Sequence, residues 1–327
     1  MKNDQQLWPR VQLAMGEAVN RWIYDPNVMY IDFGWKERGG VLIKNKLCVR
    51  VHVIEKFTTE TALEAAVQQN KTSGPIPDNI GGFDVDRPQG DYLLHQDWLG
   101  NSWRQTSTPR GVRAAPMQGG ISISNYRNIY GTLGGSVMDR DTDEKMILSN
   151  WHVLAGSWQA RPGWPIYQPG LGDGGNQMDR VANLSHHAMS SNLDAAVAKL
   201  DGNRKLINNQ FGLSPVKGVS WAQLGMDVVK SGRRTGITYG RVVGVDGTAR
   251  INYNGVYRLI QNVMTIVPRA GQEVSDGGDS GSFWLEEGSM KAVGLHFAGN
   301  NYPERALAMD MEPILDALNV DIDTAVT

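Results

Sequence analysis

The sequence predicts a mostly β chain: two packed antiparallel β-barrels, preceded by a small N-terminal α/β unit and closed by a C-terminal helix. Three observations predict it. Thirty-eight glycines punctuate the 327 residues, a density that marks turns and strands rather than helical bundles. Short strand-like runs separated by Gly-rich turns recur from about residue 119: GGISIS, YGTLGGSVM, KMILSN, WPIYQP and DAAVAKL. After residue 215 the rhythm repeats in DVVKSG, GRVVGV, ARINYN, LIQNVMTIV, GSFWLE, AVGLHFAG and RALAMD. Two sets of about six strands fit two barrels.

The N-terminal part reads differently. Residues 7–23 place Leu7, Val11, Ala14, Met15, Ala18, Trp22 and Ile23 at helical spacing, with Pro9 tolerable in the first turn. That apolar face must dock on its own chain or on a partner. Residues 28–33 read as a strand. Residues 47–54 alternate, with Leu47, Val49, Val51 and Val53 on one face and Cys48, Arg50 and His52 on the other. Residues 58–69 predict a helix, with Thr61 and Glu64 at capping-box spacing. Residues 73–82 form a loop and 83–86 a short strand. His52 and His95 read as surface polar groups. Ser, Pro, Arg and Gly in residues 98–118 suit a linker, dividing the chain into an α/β unit (1–97), a linker (98–118) and a β domain (119–327). The run MEPILDALNV, 311–320, predicts the closing helix.

Charge is nearly balanced, 32 basic against 34 acidic residues, which argues against nucleic acid or an anionic membrane as partner. The single cysteine, Cys48, rules out internal disulfides and points to a reducing compartment. The first residues carry no apolar signal core, and no run approaches the ~18 apolar residues of a membrane helix. A cytoplasmic, soluble protein is the expectation. No cofactor and no metal are expected. GLGDGG (170–175) has a dinucleotide-like spacing but no helix pattern follows it, His186 and His187 lack a second ligand pair, and Arg233–Arg234 is too small a basic cluster for nucleic acid.

The chemistry centres on SDGGDSGSF, residues 275–283. Glycines packed around Ser280 predict a tight turn that exposes a hydroxyl and aims backbone N–H groups at one point, as a nucleophile with an oxyanion hole requires. A serine needs a base. Of six histidines, His152 in KMILSNWHVLAG (145–156) stands where a strand ends in Ser149–Asn150, so the chain can deliver its imidazole to a cleft. A carboxylate must orient that imidazole. Asp194, in NLDAAVAKL, opens an apolar strand; Asp173 and Asp179 are rivals in sequence order, in a loop where Asp is ordinary turn chemistry.

Gly-Asp-Ser-Gly, the L-S-N-x-H-V-L run around His152 and the Asp-small-aliphatic run from Asp194 occur in the order His152, Asp194, Ser280. Together they resemble the chymotrypsin-like (trypsin-like) serine proteases, in particular bacterial cytosolic members with an N-terminal α/β extension; plant narrow-leaf-type proteases share that plan. The resemblance covers residues 119–320. It implies a serine endopeptidase that forms an acyl-enzyme at Ser280, with oxyanion donors at the N–H groups of Gly278 and Ser280. It also implies that a substrate peptide pairs with the strand carrying Phe297 and Gly299. His296 falls where glutamate-specific members place a histidine, and the uncharged Val274 falls near the floor of the specificity pocket, which together favour Glu, Gln or a medium apolar residue before the cut. In zymogen-type members the residue matching Asp279 pairs with a freed N-terminus, but no Ile-Val-Gly-Gly-like site is visible here. KSGRRTGITYGRV (230–242) resembles a structural hairpin of bacterial members. Trp151 departs from the small residue or Asn usual before the histidine and predicts a walled cleft. The implied partners are protein or peptide substrates. A restricted set of intracellular proteins is expected because a cytosolic protease must be restrained, and residues 1–118, with the N-terminal helix and α/β unit, serve either inhibition, docking or assembly or simply stabilise the chain. The alternative is a protease-fold scaffold of low activity that binds peptides or assembles oligomers.

Overall fold

The computed structural model describes residues 6–94, 109–127, 130–269 and 271–325; His95 and residues 98–108 of the expected linker lie outside the described residues. The N-terminal part contributes α1 (Leu7–Trp22), β1 (Val28–Arg38), β2 (Val41–Val53), α2 (Glu60–Gln68), β3 (Asn79–Ile80), β4 (Phe83–Asp86) and β5 (Leu93–Leu94). Then come β6 (Met117–Gly119), β7 (Ser122–Asn125), β8 (Gly131–Thr132), β9 (Gly135–Asp139), β10 (Lys145–Ser149), the short α3 (Trp151–Leu154), β11 (Pro165–Tyr167), β12 (Arg180–His187), β13 (Ala196–Leu200) and β14 (Leu206–Gln210). The last third holds β15 (Asp227–Gly232), β16 (Gly236–Tyr253), β17 (Val256–Pro268), β18 (Phe283–Glu286), β19 (Ala292–Asn301), β20 (Glu304–Asp310), α4 (Met311–Leu318) and β21 (Val320–Ile322). Among the described residues, no helix is long and apolar enough to cross a membrane.

The fold is mostly β and built from two units, as the two sets of runs predict. In the second, strands pair in the order β15-β18-β19-β20-β17-β16, and β15 pairs back with β16 to close the ring. In the first, the order is β21-β9-β10-β13-β12-β11-β7-β8. β21 follows α4 and lies antiparallel on β9, so the C-terminus ties the second unit back to the first. Where sequence predicts two strands, GRVVGV and ARINYN, the chain forms the single 18-residue β16. Gly244, Asp246 and Gly247 look like turn residues, but they sit at register slips against β17, with Asp246 at φ 57°. They act as bulges that bend one long strand rather than reverse it.

α1 docks on its own chain: Val11, Ala14, Met15 and Ala18 share a buried cluster with Phe33, Val49 and other residues of β1 and β2. β1 pairs antiparallel with β2 on one side and with β16 on the other, Tyr30 opposite Ala249, so the N-terminal strands continue the sheet of the second barrel. α2 begins at Glu60, with Thr59 as its N-cap accepting from the Ala62 N–H at 3.2 Å. Thr61 therefore lies inside the first turn, and the capping box expected from Thr61 and Glu64 is not the start of this helix.

His52 is the largest correction in this region: it is fully buried, not a surface group. The face of β2 expected to meet solvent is covered by the second barrel and by Tyr92. Asp32 accepts from Arg50 Nε at 2.7 Å and from Thr265 Oγ1 at 2.6 Å, and its Oδ1 lies 3.2 Å from His52 Nε2. The Tyr92 hydroxyl lies 2.8 Å from His52 Nδ1. Burial drives the imidazole down to about 4 from an ordinary 6.5, against the pull of Asp32. Burial would raise the Asp32 carboxyl, but Arg50 and His52 hold it well below the usual range. As pH falls from about 6.5 to about 4, the unfolded chain takes up a proton at His52 that the folded chain refuses. Stability should then drop by about 3 kcal/mol, with further loss below that range as Asp32 protonates. Thermal unfolding at pH 7 and pH 4.5 checks this. The shift should shrink in His52→Asn, and an equal shift in both proteins would remove His52 as its source.

Candidate active site

β10 ends at Ser149, and α3 turns the chain so that His152 points back into the molecule. Asp194 stands just ahead of β13, the neighbour of β10, with Leu148 opposite Val197. That pairing brings the two side chains together. His152 Nδ1 lies 2.5 Å from Asp194 Oδ2, and the His152 backbone N–H donates to Asp194 Oδ1 at 3.0 Å. The Asp194 carbonyl accepts from Asn150 Nδ2 at 2.7 Å, so the motif's asparagine fixes the carboxylate's backbone. Both side chains are buried. The carboxylate has a further donor that sequence reasoning missed: the Tyr253 hydroxyl, 2.9 Å from Asp194 Oδ2. Tyr253 stands at the end of β16, and the long strand carries it across from the other barrel. Its ring packs against Trp151 at 5.8 Å, and Trp151 packs on Trp158 at 4.5 Å. The rival carboxylates are engaged elsewhere. Asp173 accepts from Arg233 Nε at 2.8 Å, and Asp179 closes a capping box with Asn176.

Ser280 precedes β18 of the second barrel. Its loop is stitched to β8 of the first unit and, through it, to β10, the strand that leads to His152. Thr132 of β8 donates its N–H to the Ser280 carbonyl at 2.8 Å and its hydroxyl to the Gly278 carbonyl at 2.8 Å, and Ser149 Oγ donates to the Thr132 carbonyl at 2.7 Å. The loop requires its glycines. Gly278 and Gly281 sit at φ 100° and 99°, where L residues are strained. A Cβ on Gly281 would come within 2.2 Å of the Thr132 carbonyl oxygen. The Ser280 hydroxyl donates to the Phe297 carbonyl at 3.2 Å.

Asp279 is buried beneath the serine and fully partnered. It lies 2.8 Å from Lys230 Nζ, accepts from Thr235 Oγ1 at 2.5 Å, and takes the backbone N–H groups of Arg234 (2.9 Å), Thr235 (3.1 Å) and Asp276 (3.2 Å). Burial alone would raise its carboxyl; Lys230, then Thr235 and His296, hold it well below the usual range. The 230–242 segment is thus the β15–β16 hairpin, and its Lys230 supplies the buried cation beside Asp279 from within the chain.

The other sequence-predicted residues are placed as follows. Val274 is buried in an apolar cluster with Val242, Ile266 and Trp284, its carbonyl accepting from Thr238 Oγ1 at 2.8 Å. His296 is buried on β19, its ring edge-on to Trp284 at 6.3 Å. Phe297 and Gly299 lie on the same strand, Gly299 opposite Ala306 of β20. Cys48 is buried, and burial pushes its thiol up to about 12, which leaves it protonated and inert at neutral pH.

A buried imidazole–carboxylate pair on one β unit and a glycine-bound serine on a second, closed barrel define the architecture. The fold is chymotrypsin-like. Among solved structures the chain is similar to Thermobifida fusca protease A, at 17% identity over 64% of this chain and 100% of that one, with a TM-score of 0.48. It is similar also to a glutamic-acid-specific serine protease (17%, 63% and 100%, TM-score 0.48) and to the active form of the Rv3671c protease of M. tuberculosis (18%, 70% and 96%, TM-score 0.40). No protein-family model and no curated protein matches the sequence.

Proposed function

We propose that the chain is a serine endopeptidase. His152 takes the proton from the Ser280 hydroxyl as its oxygen attacks the scissile carbonyl; the tetrahedral intermediate's oxyanion is held by the Gly278 and Ser280 N–H groups. His152 then protonates the leaving amine. Water, deprotonated by the same imidazole, releases the acyl group from Ser280. Asp194 holds the proton-bearing Nδ1 edge of the ring and stabilises the imidazolium. The observation that carries this reading is the buried His152–Asp194 contact at 2.5 Å, in a molecule whose serine loop is tied to the same unit. Protein or peptide substrates follow from it.

A fluorophosphonate probe tests the reading. Wild type should label. Ser280→Ala should not label, and His152→Ala should label at least about 10³-fold more slowly. An unlabelled wild type, or labelling that survives Ser280→Ala, would end the proposal.

A further inference from the structure

β18 pairs with β19 only between Ala292 and Leu295, which leaves one side of the later half of β19 open. A segment from the N-terminal part fills it. β5 lies antiparallel on β19, Leu94 opposite Ala298 and Leu93 opposite Gly299. β20 occupies the other side of the same two residues, with Leu307 and Ala306. The backbone of β19 is therefore paired on both sides at Ala298 and Gly299, the stretch where the hydrolase reading puts a peptide running to Ser280. The polarity also matches. From Leu93 to Leu94 the chain advances along β19 toward Phe297, whose carbonyl accepts from the Ser280 hydroxyl.

The segment leading into β5 is fastened. The Gly90 N–H donates to the Val53 carbonyl at 3.0 Å, and Arg305 Nη1 donates to the Gln89 carbonyl at 2.8 Å. Tyr92 is buried, with its hydroxyl against His52. The two residues that pair are held less firmly: Leu94 packs at the margin of the main core and Leu93 is 60% exposed. A firm anchor next to a two-residue strand gives a tethered occupant of high effective concentration and small intrinsic affinity.

We infer that Leu93–Leu94 is the resident occupant of the peptide-docking edge of β19, and that an outside peptide reaches Ser280 by displacing it. The inference rests on the hydrolase reading. The register also defines the competitor: an extended peptide with an aliphatic side chain at the position opposite Ala298, where Leu94 packs, and wide tolerance at the position opposite Gly299, where Leu93 faces solvent.

The test uses full-length wild type, Leu94→Ala and Leu94→Asp, each with a small fluorophosphonate and with a fluorogenic decapeptide library of randomised sequence. The fluorophosphonate needs no strand pairing, so its labelling rate should stay within about twofold, while the KM for cleaved library peptides falls roughly tenfold in Leu94→Asp and less in Leu94→Ala. Peptides with Leu, Ile or Met at the position matching Leu94 should be cut preferentially. Normal labelling with unchanged or raised KM would overturn the inference and leave the hydrolase reading standing. Labelling lost in both variants but kept in wild type would make Leu94 a structural residue, and also overturn it. Labelling absent from all three proteins would sink the hydrolase reading and the inference together.

Discussion

Asp194→Asn should lower the rate of Ser280 acylation by about 10⁴-fold while leaving the fold intact. The substitution keeps the shape of a side chain that is fully buried. It changes what the side chain can accept. In the native site both carboxylate oxygens accept: Oδ1 from the His152 N–H, and Oδ2 from the His152 ring and the Tyr253 hydroxyl. An amide can place only one oxygen there. If its NH₂ faces the ring, His152 must present an unprotonated Nδ1, and the proton then sits on the nitrogen that should receive one from Ser280. If its NH₂ faces the backbone N–H instead, two donors collide in a buried site. Either arrangement disables the base. Stopped-flow acylation by a chromogenic ester would read the rate, and thermal unfolding would verify the fold. A loss under tenfold with an unchanged Tm would show that Asp194 does not set the tautomer. Tyr253→Phe removes one donor and keeps the ring packed on Trp151. It should cost roughly tenfold.

The local chemistry of this site was legible because each part is announced within a few residues of itself. Gly278 and Gly281 flank a serine that needs them, Asn150 precedes His152, and Asp194 opens the strand beside the one that carries the histidine. Asp194 stands apart from Asp173 and Asp179 because it opens an apolar strand while they lie in a turn-rich loop, and the partners of those two, Arg233 and Asn176, account for them. What stayed hidden depends on pairings between distant parts of the chain. His52 looked exposed because alternation in residues 47–54 was read as one wet face and one dry face. That face is buried because β1 and β2 join β16, roughly two hundred residues away, and no local pattern encodes a strand's far neighbour. Tyr253 was missed for the same reason. The glycines and aspartate of β16 imitate a turn, and reading a turn there ends the strand before it can reach the other barrel. Leu93–Leu94 carries no strand signal at all; two residues become a strand only because the edge of β19 is open.

Lys230→Met should be the most damaging single change outside His152, Asp194 and Ser280. Lys230 and Asp279 are both fully buried. Removing the cation leaves the carboxylate's charge in an apolar interior, a penalty of about 3–5 kcal/mol in a chain whose whole stability is of the order of 5–15 kcal/mol. The carboxylate also accepts from the Arg234, Thr235 and Asp276 N–H groups, and it stands between Gly278 and Ser280. Its relaxation toward water would carry the proposed oxyanion donors with it. Tm should fall by roughly 5 °C, and fluorophosphonate labelling should drop by more than the stability loss alone explains. The pair Lys230→Met, Asp279→Leu separates the two effects. With no charge left to strand, stability should recover the part of the loss due to the unpaired charge, less what the Arg234, Thr235 and Asp276 N–H groups lose with their acceptor, whereas labelling should not recover, because the loop has lost the acceptor that shapes it. Full recovery of labelling in the double variant would mean that Asp279 fills space rather than shapes the loop, and an unchanged Tm in Lys230→Met would mean that the carboxylate finds its counter-charge elsewhere.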